Sequence, residues 1–163
     1  MADGISPRKI FLMTIFQGVM LPINNRVGIR VGSATDADRA AVIALWQAAG
    51  LTRPWNDPGA DFDLALGNPT STVLLAREGE ALVGSVMAGF DGHRGWVYYL
   101  ATDPDHLKRG VGRMLMAAAE GWLRQLGCPR IRLMVRGENL AARGFYRAIG
   151  YDDQDVVTLG RTL

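Results

Sequence analysis

The sequence predicts an α/β (α+β) fold in which helices cover both faces of a mixed, mostly antiparallel sheet of six to seven strands. Two short turns, at residues 78–80 and 91–95, join apolar runs closely enough to form consecutive antiparallel hairpins. A helical pattern over residues 111–126 then separates strand patterns at residues 96–102 and 129–136. Because a helical crossover joins parallel strands, the sheet is predicted to be mixed.

The first half of the chain supplies the other elements in order. Residues 27–33 have the pattern of a first strand, and Thr35 with Asp38 forms a capping-box pattern at the start of the first helix. A loop rich in Pro, Trp, Asn and Asp follows at residues 51–60, before a short helix at about residues 61–66. The hairpin strands come next.

The C-terminal part is predicted to add one helix and one strand. Asn139 is a good N-cap for the last helix, and Gly150 is a typical stop. An alternating run at residues 155–161 predicts a final strand. The helix over residues 111–126 is expected to bury one face, made of Val111, Met114, Leu115, Ala118, Trp122 and Leu126.

The N-terminal residues 1–26 are interpreted as an extension outside a single domain at residues 27–163. Arg8 and Lys9 before an apolar stretch are similar to the start of a signal peptide. The stretch is too short to span a bilayer, and no Ala-x-Ala cleavage site follows it. Met20 is therefore a candidate start of the functional chain.

Composition narrows the function classes. A net charge of +2 and a pI of about 9.0 fit an anionic small molecule, but there is no basic run or aromatic-basic alternation that would indicate nucleic acid. The single cysteine excludes an internal disulfide and suits a reducing, cytoplasmic compartment. His93 and His106 lack metal-ligand spacing, so no metal is expected, and no membrane partner is expected either.

The most informative segment is the glycine-containing entrance to the helix over residues 111–126. Gly110 and Gly112 lie between Arg109 and Arg113, and no Ser, Thr, Asp or Asn stands directly before the first turn. The free N–H groups and the helix dipole therefore favour an anion such as a pyrophosphate. The P-loop and Rossmann glycine patterns do not match. The alternative is that the glycines only make a tight turn.

Two motifs resemble the GNAT superfamily of acyl-CoA N-acyltransferases. Leu107-Lys-Arg-Gly110-Val-Gly112 is similar to its signature Gln/Arg-x-x-Gly-x-Gly/Ala, with Leu107 in place of the leading Gln or Arg. Asn139-Leu-Ala-Ala142-Arg-Gly-Phe-Tyr146-Arg-Ala-Ile-Gly-Tyr is similar to its pattern Asn-x-x-Ala-x-x-hydrophobic-Tyr-x-x-x-Gly-Phe/Tyr. The resemblance covers about residues 27–163. The segments at residues 53–58 and 89–95 further resemble the YpeA-type members.

The resemblance implies a GNAT fold in which the fourth and fifth predicted strands, at residues 96–102 and 129–136, splay apart. It implies acetyl-CoA as the acyl donor, and it places the cofactor along the splayed strand, the glycine loop and the last helix. The cofactor-binding residues it implies are Leu100, Ala101, Thr102, Leu107, Lys108, Arg109, Gly110, Val111, Gly112, Arg113, Asn139, Ala142 and Tyr146.

The resemblance also implies an N-acetyltransferase acting on a primary amine of a small molecule or on a peptide N-terminus. Tyr146 is the expected general acid, while His93 and Asp91, with Asp57, are candidate bases. The related alanine acetyltransferases of ribosomal proteins carry a glutamate where this chain has Met134. The acceptor side is expected to be lined by Arg53, Trp55, Asn56, Asp57, Asp91, His93 and Arg94.

Alternatives stay open at this point. A non-catalytic GNAT module that binds acyl-CoA as a sensor or scaffold would also fit Leu107 and Met134. The acceptor, the base and the oligomeric state, including a homodimer, do not follow from the sequence.

Overall fold

The computed structural model describes residues 13–16, 19–22 and 28–161, and the chain divides into two compact units, Met1–Leu133 and Met134–Leu163. In the first unit the helices are α1 (Arg39–Ala48), α2 (Pro58–Gly67) and α3 (Val111–Gln125). Its strands are β1 (Met13–Phe16), β2 (Val19–Pro22), β3 (Ile29–Ser33), β4 (Ser71–Glu78), β5 (Ala81–Phe90), β6 (Gly95–Thr102) and β7 (Ile131–Leu133). The second unit contains α4 (Leu140–Ala148).

The main sheet has the strand order β3-β4-β5-β6-β7. All neighbours are antiparallel except β6 and β7, which pair in parallel across the α3 crossover. The predicted mixed sheet is therefore confirmed. Within the predicted extension, β1 and β2 form a separate antiparallel pair that the sequence did not indicate.

Helices pack on both faces of the main sheet, as predicted. On one face, the Nε1–H of Trp46 in α1 donates to Oγ of Ser85 in β5 at 2.9 Å. On the other face, Val111 in α3 packs directly on Gly84 in β5, so closely that a Cβ added to this glycine would lie 2.6 Å from Cγ1 of Val111. Because successive residues of a strand point to opposite faces, α1 and α3 lie on opposite sides of β5.

Local capping explains where the first two helices begin. The capping box of Thr35 and Asp38 begins a 3-10 turn, Asp36–Asp38, that leads directly into α1; the Asp38 carboxylate accepts a hydrogen bond from the Thr35 N–H at 2.8 Å. Asp57 caps α2, with Pro58 at the first helical position. The short helix predicted at residues 61–66 is therefore longer than expected, because its Asp-Pro start was interpreted as part of the loop.

The sheet has five strands rather than six to seven, because the strand predicted at residues 155–161 does not form. Its apolar side chains are exposed, Val157 at 86% and Leu159 at 90%. A strand requires a neighbour for its main-chain groups, and none pairs with this segment among the described residues. The strand predicted at residues 129–136 is likewise shorter, since β7 covers only Ile131–Leu133.

The buried face of α3 also differs from the expected one. The residues buried on α3 are Val111, Leu115, Met116, Ala119 and Leu123. The buried residues at every fourth position of α3, such as Leu123, face the sheet where its strands carry glycines. A Cβ at Gly95 would lie only 2.8 Å from Cδ1 of Leu123, so Leu123 packs directly on this glycine. Val111 and Leu115 are buried as predicted, whereas Met114, Ala118, Trp122 and Leu126 are not among the buried residues, because close packing on these glycines selects the face.

Candidate functional site

A bulge interrupts β6 at the place predicted to bind an acyl donor. Ser85 pairs with Ala101 and Met87 pairs with Tyr98, so Tyr99 and Leu100 together lie opposite one residue of β5. Tyr99 has a φ of 49°, a left-handed conformation that is costly for an aromatic residue. Such local strain often occurs at functional sites.

Within the described part of the first unit, one edge of β6 lacks a strand partner over the part of the strand that contains the bulge. β7 pairs with β6 only from Gly95 to Val97, so the rest of β6 has no strand partner on that side among the described residues of the first unit. The splay expected from the resemblance would begin where this short pairing stops. The edge from Leu100 to Thr102 can offer main-chain N–H and C=O groups to an extended ligand.

The entrance to α3 has the geometry of an anion site. Gly110 is the N-cap, with a φ of 85° and no side-chain cap, and Lys108 also has a left-handed φ of 61°. The first main-chain N–H that makes a helical hydrogen bond is that of Met114, which donates to the Gly110 carbonyl at 3.0 Å. The N–H groups of the first turn are thus without intrahelical acceptors, and the helix dipole adds positive potential there.

A network of charged side chains fixes the loop before α3. The Arg109 guanidinium donates to both carboxylate oxygens of Glu78, and this pair holds the pKa of Glu78 below its usual range. His106 Nε2 lies 3.3 Å from Glu78 Oε2, and its Nδ1 lies 3.0 Å from Asp103 Oδ1. The predicted phosphate contact Arg109 is therefore engaged by a carboxylate, although it is exposed, as are Lys108 and Arg113.

The turn between β5 and β6 is held by Asp91. Its Oδ1 accepts from the N–H groups of Arg94 and His93 at 2.6 and 2.7 Å, and its Oδ2 accepts from Trp96 Nε1 at 2.9 Å. The Arg94 main-chain bond, followed by those from Trp96 and His93, lowers the pKa of Asp91 to about 2. The Arg94 guanidinium donates to the His93 carbonyl at 3.0 Å, and its Nη1 also lies 3.3 Å from His93 Nδ1.

The loop before α2 holds the other predicted acceptor residues. Asp57 Oδ1 accepts from the N–H groups of Gly59 and Ala60, so this carboxylate serves as a helix cap. Arg53 donates to main-chain carbonyls within its own loop, and Trp55 is 72% exposed. The Asn56 side chain lies close enough to the Tyr99 hydroxyl to act on its pKa, which brings this loop next to the β6 bulge.

Asp61, in the first turn of α2, was not singled out by the sequence. The Tyr99 hydroxyl donates to Asp61 Oδ2 at 2.6 Å, and the Tyr99 ring stacks on Trp46 with centroids 4.1 Å apart. The two adjacent tyrosines before Leu100 are visible in the sequence, but the sequence does not show that Tyr99 contacts Asp61.

In the second unit, Asn139 Oδ1 caps α4 by accepting from the Ala142 N–H at 3.0 Å. The ring of Tyr146 lies edge-on to Phe145 and Tyr151. Burial raises the pKa of Tyr146 to about 12, so its hydroxyl keeps its proton at neutral pH. Met134 is exposed and offers no titratable group.

A bulged strand with a free edge, beside an uncapped, glycine-containing helix start, defines a protein that can hold an extended anionic cosubstrate. The model of the acetyltransferase (GNAT) family matches residues 33–151. An acetyltransferase of Pectobacterium atrosepticum is 44% identical over 126 residues, covering 77% of this chain and 89% of the relative. An acetyltransferase of Yersinia enterocolitica is 42% identical over 135 residues, covering 83% and 94%. This chain belongs to the GNAT family.

Solved structures share the fold. An aminoglycoside N-acetyltransferase in complex with CoA aligns with a TM-score of 0.73 and 17% identity, over 86% of this chain and 98% of that one. The chain is accordingly a GNAT-type acyltransferase whose acyl donor is acetyl-CoA.

Among the described residues, no helix is both long and apolar enough to cross a membrane.

Proposed function

We propose that this acetyltransferase transfers the acetyl group to a primary amine of a small molecule or of a peptide or protein N-terminus. The observation that carries the proposal is the uncapped entrance to α3, with its left-handed Gly110. A helix start of this kind favours the pyrophosphate of a CoA thioester over an uncharged ligand. The acceptor must then supply a nucleophile that can attack a thioester carbonyl.

The residues of the first unit suit an extended CoA molecule. The N–H groups of Val111, Gly112 and Arg113 would face the pyrophosphate, with Lys108 adding positive charge. The free edge of β6 at Leu100, Ala101 and Thr102 would hydrogen-bond the pantetheine arm. Leu107 removes one polar side chain that other members carry at this position, but main-chain donors do not depend on it.

The reaction forms a bond between the amine nitrogen and the acetyl carbonyl carbon and breaks the carbon–sulfur bond. We assign Tyr146 as the general acid that protonates the departing thiolate, from its place at the tyrosine of the family motif. The role requires a protonated hydroxyl, which any tyrosine has at neutral pH; burial raises the pKa of Tyr146 to about 12, which makes it a weaker acid than an exposed tyrosine. Asn139 and Ala142 would support it by fixing the start of α4.

The acceptor amine must lose a proton before it attacks. Asp91 is a weak candidate for the base, since three hydrogen bonds lower its pKa to about 2. Asp57 is occupied as a helix cap. His93 is the better candidate, because an imidazole nitrogen can accept a proton and its ring lies on an exposed turn.

A non-catalytic acyl-CoA sensor is the alternative, favoured by Leu107 and Met134. The test is release of free CoA from acetyl-CoA with a panel of amino acids, polyamines, aminoglycosides and N-terminal peptides. An enzyme gives acceptor-dependent CoA release that saturates with one class of amine. Tight acetyl-CoA binding with no release above the acceptor-free rate would instead establish the sensor.

A further inference from the structure

We infer that Asp61, positioned by Tyr99, binds a cationic group of the acceptor, so that the preferred acceptor carries a second ammonium besides the amine that reacts. This inference rests on the proposed amine acetylation. It assigns a specificity-determining carboxylate to the α2 side of the β6 bulge.

The position of Tyr99 is fixed from two sides. Its hydroxyl donates to Asp61 Oδ2 at 2.6 Å, and its ring stacks on Trp46 with an interplanar angle of 17°. Trp46 is itself fully buried, and its Nε1–H donates to the buried Ser85 hydroxyl. A rigid framework therefore holds the carboxylate of Asp61 in one place, which a specificity site requires.

The charge of Asp61 is not compensated by the protein. Among the described residues no Arg, Lys or His pairs with it, whereas Asp63, two positions along α2, is paired with Arg39 at 2.7 Å. Asp61 is partly buried and adjoins the Tyr99 ring. A carboxylate beside an aromatic ring is a favourable site for an organic ammonium.

The distance between Asp61 and the β6 bulge indicates that the ammonium bound by Asp61 is not the amine that reacts. Asp61 lies one tyrosine side chain away from the strained main chain of Tyr99, the residue directly before the edge at residues 100–102 proposed to hold the pantetheine arm and its thioester. The reacting nitrogen must be uncharged when it attacks. The cation at Asp61 is therefore a separate group, about one tyrosine side chain from the reacting amine.

The experiment compares cadaverine with pentylamine, which share a reactive amine and differ in the distal ammonium. The wild-type protein should favour cadaverine in kcat/KM by about tenfold or more, the effect expected of one charged hydrogen bond. Asp61→Asn should abolish this preference, mainly through KM, and leave the KM for acetyl-CoA unchanged. Tyr99→Phe should reduce the preference by a smaller factor, because it releases the carboxylate without removing it.

Asp63→Asn is the matched control, since it removes the same charge from the same helix and should retain the preference. Melting temperatures of all variants identify any that fail to fold. A wild-type protein that uses pentylamine equally well, uses neither probe while acetylating other amines, or keeps its preference in Asp61→Asn, overturns the inference. Failure to acetylate any amine would instead overturn the proposed function.

Discussion

The guanidinium of Arg109 donates to both carboxylate oxygens of Glu78, at 2.6 and 3.1 Å. Arg109 lies in the loop before α3 and Glu78 ends β4, so the pair ties the proposed phosphate loop to the sheet. The same pairing neutralises the arginine. The two arginines that flank the glycines are therefore not equivalent: Arg109 is occupied structurally, and Arg113 has a solvent-exposed side chain.

Arg113→Ala should weaken acetyl-CoA binding more than Arg109→Ala, because only an unneutralised cation adds strongly to the potential at the phosphate. Calorimetry at low and high salt gives the measurement. The salt dependence of binding should fall clearly in Arg113→Ala and little in Arg109→Ala. Arg109→Ala should instead lower the melting temperature. The reverse ranking of affinities would show that Arg109 leaves Glu78 to bind phosphate.

Gly112→Asp places a side chain and a negative charge in the first turn of α3, where the pyrophosphate is proposed to bind. The affinity for acetyl-CoA should fall at least tenfold, about 1.4 kcal/mol, in a calorimetric titration. Gly121→Asp is the control, since it adds the same charge to the same helix at a position with open space around it. Equal affinities in the two folded variants would exclude this placement of the phosphate.

Tyr146→Phe keeps the aromatic ring and its edge-on contacts and removes only the hydroxyl. Since a positioned acid contributes about 10²–10⁴-fold, kcat should fall by roughly that factor while acetyl-CoA affinity holds. The defect should shrink with an acyl donor whose thiol is more acidic, because a better leaving group needs less protonation. Wild-type turnover, with chemistry shown to be rate-limiting, would return Tyr146 to a packing role.

Asp91 should make the turn between β5 and β6 sensitive to acid. Its pKa is lowered from 3.8 to about 2 in the folded chain, so the ionised form stabilises the fold. This contribution is complete above about pH 3.8 and is lost as the pH falls toward about 2. Asp91→Asn should therefore melt below the wild type at pH 6, and the two melting curves should converge near pH 2. A difference that persists unchanged at pH 2 would assign it to another cause.

Residues 1–26 are predicted to be dispensable for folding, because the main sheet begins at β3. A chain beginning at Met20 should melt within about 5 °C of the full chain by circular dichroism, a shift that corresponds to about 2 kcal/mol for a chain of this size. This deletion removes β1 and disrupts its pairing with β2. A much larger loss of melting temperature would show that the hairpin stabilises the rest of the chain.

Much of the site follows from local sequence. The free helix start at Gly110 needs only two glycines and the absence of a capping residue, and both are visible in the sequence. The Asn139 cap of α4 is equally local, as its bond to Ala142 spans one helical turn. The cap of α2 was also visible in the sequence, as Asp57 before Pro58, but this segment was interpreted as part of a loop.

By itself, the sequence determined the hairpins, the Asn139 cap and the glycine loop, because each depends on residues within a turn or two of one another. Only the tertiary structure decided that Tyr99 meets Asp61, since that contact joins residues 38 positions apart and depends on the β6 bulge. It also decided which face of α3 is buried, because Gly84 and Gly95 leave room for particular side chains. The segment at residues 155–161 shows the same limit: an alternating pattern permits a strand, but only a neighbour that accepts its hydrogen bonds creates one.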